Sequence, residues 1–486
     1  MKTIGTKALL ALLVVGLAIT AIPATKATSS DDWTQTTQRG LKAYPDLMET
    51  VWQKKASAPP NGLYDIIGLH RVVKTGIKPI GALFICPGTW GSGEQMISNP
   101  PTDPWTKTEN DTEALYWANR GFDVYSIDYR THFVPTNLPN PSLAFMANWG
   151  WDQWISDIKE AVDKTKEVSG AEKIYMAGQS FGGIAAMNYA TLYGQQDLKG
   201  LIMLDAAAFG LTDGLGAKNP NPTNSFNLTN AIAQMNTAGT WANETDSGAL
   251  FTFQYADQNP GAPAEFPPGT PVTPPVNPFT NEPWANITDW ATFVTVWGWG
   301  YAGISNINEG YGNAAVDIHI CATFDGYWPT RLQLEATAYS DWDNCPDITH
   351  DFDDHYSSID VPLLAFQSQY LTYPQFGAFK DGIANPVFST TVLSGYGHLD
   401  VFSGVYSARD VSAPTYDWMV SHNSPVLGDL NGDFKVDLKD LVILAKAYGS
   451  KLGDSNWDPN ADIDRNGAVG LSDLVALAQH YGQHSP

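Results

Sequence analysis

Between Leu63 and Gly210 short apolar runs alternate with segments whose apolar residues recur at helical spacing, and this rhythm limits the fold more than any other feature. Gly81–Cys86 and Phe122–Ile127 read as buried strands, stopped by Pro87-Gly88 and by Asp128. Trp151, Trp154, Ile155, Ile158, Ala161, Val162 and Val168 fall on one face of a helix over 151–169, with Lys and Glu opposite. Lys173–Ala177 predicts a third strand, Phe181–Tyr193 a helix and Leu198–Leu204 a fourth strand. Strand and helix in turn predict an α/β fold, its mostly parallel sheet covered on both faces. The rhythm stops after Phe209, and residues 211–345 are rich in Asn, Thr, Pro and Trp. So long a stretch is expected to be a functional cap insertion rather than a loop. Trp284, Trp290, Trp297, Trp299 and Trp328 are expected mainly to pack its own small core, with some lining an apolar cleft. The sheet pattern resumes at Val361–Phe366 and Thr390–Ser394, and a last helix covers Ala408–Val420. These segments bound one unit at 31–420, a polar linker at 421–425 and a second unit at 426–486.

Gly178-Gln179-Ser180-Phe181-Gly182 fits G-x-S-x-G, and an apolar strand runs into it while a helix-forming segment leaves it. A turn this sharp needs neighbours without side chains, and the helix start aims free N–H groups at developing negative charge. A nucleophilic serine needs a base. His398, in Ser394-Gly-Tyr-Gly-His398-Leu-Asp400, follows the last apolar strand, where open α/β sheets carry their functional loops. His70 and His319 are expected to be structural. The acid is expected between serine and histidine in chain order, and Asp205 at the end of Leu198–Leu204 is preferred. Asp381 and Asp400 are the reserve candidates, and Asp400 is equally placed to brace the histidine loop. The N–H groups of Phe181 and of Thr89, in Pro87-Gly88-Thr89-Trp90-Gly91, are the expected oxyanion donors.

With these motifs residues 63–420 resemble the α/β-hydrolase superfamily, and His398-Leu-Asp400-Val-Phe402 is similar to the histidine loop of acid-lipase relatives. The resemblance implies ester hydrolysis under a cap, with no cofactor needed for catalysis. Two departures stand out. Pro87-Gly88 replaces the common His-Gly, and the usual acid position after the penultimate strand, Gln367-Ser-Gln-Tyr-Leu371, holds no carboxylate. The favoured substrate is a carboxylic ester with an apolar or carbohydrate portion. A serine peptidase or amidase on the same fold is one alternative, and a non-catalytic surface or adhesion protein with a decayed hydrolase domain is another.

Residues 429–484 contain an internal repeat with a 33-residue offset. Asp429, Asn431, Asp433, Asp437 and Asp440 align with Asp462, Asp464, Asn466, Gly470 and Asp473, and each set runs into a matching apolar helix. Oxygen ligands at loop positions 1, 3, 5 and 12, with backbone carbonyls of Lys435 and Ala468 at position 7, describe two calcium (Ca2+) sites. This tail resembles a type I dockerin, a family of paired calcium-loop–helix units that binds a cohesin partner. The resemblance places partner recognition at Leu438 and Lys439 and at Leu471 and Ser472. Phe434 stands at position 6 of the first loop, where glycine is usual, and Gly470 at position 9 of the second leaves that place to water.

The chain of 486 residues carries a formal net charge of −24, which repels phosphate backbones and argues against nucleic acid as a partner. Lys2 and Lys7, an apolar run over Ala8–Ile22 and small residues at Ala24 and Ala27 predict a secretory signal peptide over 1–27. The mature protein is therefore expected to be secreted or held at the cell surface, with no transmembrane segment. In that oxidising setting Cys321 and Cys345 are candidates to pair, while Cys86 is expected to be a buried thiol.

Overall fold

Nine strands form one sheet in the computed structural model: β1 (Thr34–Gly40), β2 (Leu47–Lys55), β3 (Ile66–Lys74), β4 (Gly81–Cys86), β5 (Phe122–Asp128), β6 (Ile174–Gln179), β7 (Leu198–Leu204), β8 (Leu363–Ser368) and β9 (Phe388–Leu393). The structure describes residues 32–98, 112–206, 228–242, 252–264, 276–297, 318–341, 356–369 and 388–483, with short gaps inside these stretches. The strand order is β1-β2-β3-β5-β4-β6-β7-β8-β9. β1 to β3 pair antiparallel, as does β3 with β5, and every neighbouring pair from β5 to β9 is parallel. The chain steps from β4 to β5 on one side, then to β6 on the other. The carboxyl ends of β4 and β6 thus flank the point where the winding reverses, the natural crevice of an open α/β sheet.

The parallel strands are apolar on both faces because helices cover both. β6 and β7 are buried along nearly their whole length. The helices of this part are α1 (Gly93–Ser98), α2 (Glu113–Asn119), α3 (Trp151–Ser169) and α4 (Phe181–Asp197). On α3 the expected stripe from Trp151 to Val162 is buried, and the helix stops at Gly170, whose φ of +72° is the left-handed conformation of a helix end. The antiparallel strands β1 and β2 have no counterpart in the sequence reading. Almost every side chain of β1 faces solvent and β2 buries Glu49 and Thr50, so neither shows an apolar run.

Within 211–345 the described elements include α5 (Leu228–Ala238), α6 (Ile287–Trp297) and α7 (Thr330–Asp341). Phe253, Trp284, Ile287, Trp290 and Ile318 form a small core of their own. Trp328 does not line an open cleft; it is buried against Trp154 and Phe181, with ring centroids 5.6 and 4.7 Å away. The side chains of Trp297 and Trp299, and the whole of Cys345, lie outside the described residues. Glu335 of α7 accepts the N–H of Trp151 at 2.6 Å, setting a carboxylate at the start of α3 where the helix dipole favours it.

The last helix of this unit, α8 (Ala413–Asn423), runs three residues past the expected end. Ser421–Asn423 are its final turn rather than linker, because the Asn423 side chain donates to Ile80 O at 2.9 Å and accepts from the Tyr175 hydroxyl at 3.3 Å. The chain divides into two compact units, Thr34–Asn423 and Ser424–Pro486, the latter grouped with residues 1–33. The leader 1–27 lies outside the described residues.

In the second unit α9 (Leu438–Ala447) and α10 (Leu471–His480) enclose a core of Leu430, Val436, Leu444, Ala461, Val469 and Leu477. Val436 exchanges backbone bonds with Gly482 and Gln483 (2.8 and 2.9 Å), and Val469 exchanges the same bonds with Gly449 and Ser450 (2.8 and 2.9 Å). Each loop is thereby tied to the end of the other repeat's helix.

Candidate active site and carboxylate loops

Ser180 joins β6 to α4 at φ +53° and ψ −127°, a conformation that costs a residue other than glycine about 1–3 kcal/mol. Close approach of backbone makes the turn possible. A Cβ on Gly182 would collide with the carbonyl oxygens of Cys86 and Pro87, and one on Gly88 would come within 3.0 Å of the Ser180 Cβ. The 87–91 loop therefore lies directly against the serine and the start of α4. Thr89 sits half-buried in that loop, which is closed by the Gly91 N–H on Gly88 O at 3.0 Å. Phe181 opens α4, where the first N–H groups have no helical acceptor, and its ring is wedged between Trp151 and Trp328.

His398 follows β9 in a loop stiffened by Asp400, whose buried carboxylate accepts the Gly397 N–H at 2.7 Å. Its Nε2 lies 2.8 Å from Ser180 Oγ, and its Nδ1 lies 2.7 Å from Asp205 Oδ2. An ionised carboxylate can only accept, so Nδ1 carries the proton toward Asp205 and Nε2 accepts from the serine hydroxyl. Asp205 is fully buried one residue beyond β7, at φ +47°. Its N–H donates to Phe366 O at 3.0 Å. Its Oδ1 accepts the Ser368 N–H at 2.6 Å and its Oδ2 the Ser368 hydroxyl at 2.8 Å. The structure thus brings Ser180, His398 and Asp205 into one line. Asp400 stands outside that line, and Asp381 lies outside the described residues.

In the sequence, Gln367-Ser-Gln shows only the absence of a carboxylate, and nothing there marks Ser368. A serine at a strand end carries no signal until the neighbouring strand is known. Chemically the line can take a proton from Ser180 as its oxygen attacks an electrophile and return it to a leaving group. Nearby Cys86 is buried, and burial pushes its thiol far above the ordinary range, so it is inert as a competing nucleophile. Cys321 packs half-buried beside the core of the insertion.

In the second unit Asp462, Asp464 and Asp473 each bring one carboxylate oxygen within 4.8 Å of the others. Gly467 turns the loop at φ +86°, and Asp462 accepts the N–H groups of Asn466 and Gly467 at 3.0 and 2.8 Å. The Ser472 hydroxyl and the Asn466 N–H and amide hold the Asp464 carboxyl below its ordinary range. Asn466 Oδ1 accepts the Ala468 N–H at 2.9 Å. Asp473 accepts from the N–H groups of Asp464 and Gly470, at 3.1 and 2.7 Å. Asp440 does the same in the first loop, accepting from Leu430, Asn431 and Asp437 at 2.7, 3.1 and 2.8 Å. Asp429 is buried beside them, and Asp437 caps α9 through the Lys439 N–H at 2.7 Å. Lys435 is exposed, while Asp433 and Phe434 lie outside the described residues. The three carboxylates of the second loop, hard oxygen donors this close together, are of the kind that suits a hard divalent cation.

The fold is that of an α/β-hydrolase, and the chain belongs to that superfamily through a domain of the lipase, esterase and peptidase kind. A crystal structure from Sulfolobus solfataricus, provisionally described as a lipase, is 32% identical over 80% of this chain and 99% of its own, with a TM-score of 0.59. The family model for serine aminopeptidase, S33, matches residues 110–246. A thermophilic esterase from Thermogutta terrifontis is 13% identical over 76% of this chain and 97% of its own, with a TM-score of 0.36. Among curated proteins, cellulosomal-scaffolding protein B of Acetivibrio thermocellus is 27% identical over 85 residues, 18% of this chain. That match spans 10% of the scaffolding protein, and a second match, to scaffolding protein A, spans 4% of it. Among the described residues no helix is long and apolar enough to cross a membrane.

Proposed function

We propose that the chain is an exported serine hydrolase of carboxylic esters, anchored by a calcium-dependent dockerin-like module. Ser180 attacks the ester carbonyl, His398 takes its proton and returns it to the leaving alcohol, and Asp205 holds the imidazole in its productive tautomer. The N–H groups of Phe181 and Thr89 hold the oxyanion. Water then repeats the sequence on the acyl-enzyme. The observation that carries this reading is the unbroken line of hydrogen bonds from Ser180 Oγ through His398 to Asp205. The Sulfolobus relative favours an ester, while the aminopeptidase family model favours a peptidase reading of the same residues. Purified protein offered p-nitrophenyl esters and aminoacyl p-nitroanilides separates the two. Ester turnover that disappears in Ser180→Ala is expected; turnover of anilides alone moves the assignment to a peptidase, and full activity in the variant removes Ser180 from the chemistry.

For the tail, Asp429, Asn431, Asp433 and Asp440, and Asp462, Asp464, Asn466 and Asp473, would hold one calcium ion each, with the carbonyls of Lys435 and Ala468. The ions would supply the charge that lets these acids sit together. What supports this is the repeated loop pattern and the converging carboxylates of the second loop. A cohesin-like partner would meet the exposed Leu438 and Leu471, one on each repeat. The leader 1–27 supports export, tested by sequencing the amino terminus of protein recovered outside the cell.

A further inference from the structure

We propose that Ser368 is a positioning residue of the acid–base line: it fixes the Asp205 carboxylate so that Oδ2 faces the imidazole. The inference rests on the reading of Ser180, His398 and Asp205 given above. Ser368 ends β8 and is fully buried. Its N–H holds Asp205 Oδ1 at 2.6 Å and its hydroxyl holds Oδ2 at 2.8 Å, so a single residue grips both oxygens. Rotation of the carboxylate then breaks a charge-assisted hydrogen bond, the stronger kind. Oδ2 is also the oxygen 2.7 Å from His398 Nδ1. Because the carboxylate only accepts, the Ser368 hydroxyl is the donor, and Oδ2 divides its charge between hydroxyl and imidazole.

Asp205 is tied to β8 through its backbone as well. Its backbone is in the left-handed region, and its own N–H is used by Phe366, two residues before Ser368 on β8. The adjacent Gln367 turns to Thr390 at 2.6 Å. β8 therefore contributes no acid at its tip but supplies the donors that let an acid on β7 serve. Without the Ser368 hydroxyl, Oδ2 would face the imidazole with its charge less shared and its orientation less fixed. The imidazolium would be held more tightly, and the acid limb of the rate profile would move to higher pH.

The test compares full-length wild type, Ser368→Ala, Ser368→Thr, Ser180→Ala and Asp205→Asn on the ester or anilide that the protein turns over, with kcat and KM measured across pH. Ser368→Ala is expected to lose roughly tenfold or more in kcat with KM nearly unchanged, and its acid limb to rise. Ser368→Thr, which keeps the hydroxyl, is expected to recover kcat and the original limb. A folded Ser368→Ala with wild-type kcat and limb, beside a crippled Asp205→Asn, overturns the proposal while leaving the triad reading intact. A loss of kcat with an unmoved limb and a lowered thermal midpoint overturns it too, since the hydroxyl would then only support the fold. Undiminished activity in Ser180→Ala or Asp205→Asn, or no turnover of either substrate, overturns the reading beneath it.

Discussion

Burial sets what single titratable groups can do in this molecule. His70 on β3 lies between Glu49 (3.0 Å) and Asp128 (2.8 Å), all three buried. Burial by itself would lower its pKa, yet the two carboxylates outweigh that and raise it from 6.5 to about 10. A raised folded-state value means that the stabilisation is fully present below about 6.5 and is lost as pH rises through about 10. Thermal midpoints followed by circular dichroism should therefore fall through that alkaline range in wild type and much less in His70→Gln. At the active site, Asp205→Asn should lower kcat by about 10⁴, because the imidazole would lose its fixed tautomer. A loss below tenfold in steady-state ester kinetics would take Asp205 out of that role. Residues differ in how far the sequence announces them. Ser180 sits among glycines that only a sharp turn needs, and His398 and Asp205 each stand at the end of an apolar strand. Ser368 also ends an apolar strand, but nothing in its own segment points to its partner, 163 residues away.

Whole elements were legible where an unbroken apolar run or a clear helical period marks the buried side chains. β4 and α3 have the bounds that periodicity suggested, and β7 runs over Leu198–Leu204 as its apolar run implied. β1 is an edge strand held by its backbone with its side chains in solvent, so composition contains no trace of it. The insertion carried less information still, because asparagine, threonine and proline have no period. Its Trp328 nonetheless packs on Phe181, beside the serine. Trp328→Ala should cost about 3–5 kcal/mol in denaturant unfolding if the insertion and sheet unfold together. It should also lower kcat by loosening the start of α4. In the C-terminal unit, Asp473 accepts the N–H groups that shape its loop and α10. On the proposed calcium assignment a chelator should remove the helical dichroism of this unit alone, since a metal loop and its ion fold together. Ellipticity of the isolated tail that ignores the chelator would refute the metal assignment.

Across the whole molecule the acidity proves to be of two kinds. Residues 426–486 hold nine acidic and five basic side chains, only −4 of the −24, and the repeat assigns seven of those nine to loop positions. The rest is spread through the remainder of the chain. Ester turnover is accordingly expected to survive chelation that removes the tail's helical signal, measured on one sample by assay and dichroism. A parallel loss of both would mean that the two units do not work apart. The line from Ser180 to Asp205 has one more consequence, for the time course of folding. Its two hydrogen bonds join residues 218 and 193 positions apart, the Ser368 contact to Asp205 spans 163, and β8 can reach β7 only after 158 intervening residues have been looped out. Contacts of such sequence separation form late. After dilution from denaturant, secondary structure should return first and activity should trail it, the enzyme regaining its shape well before its competence.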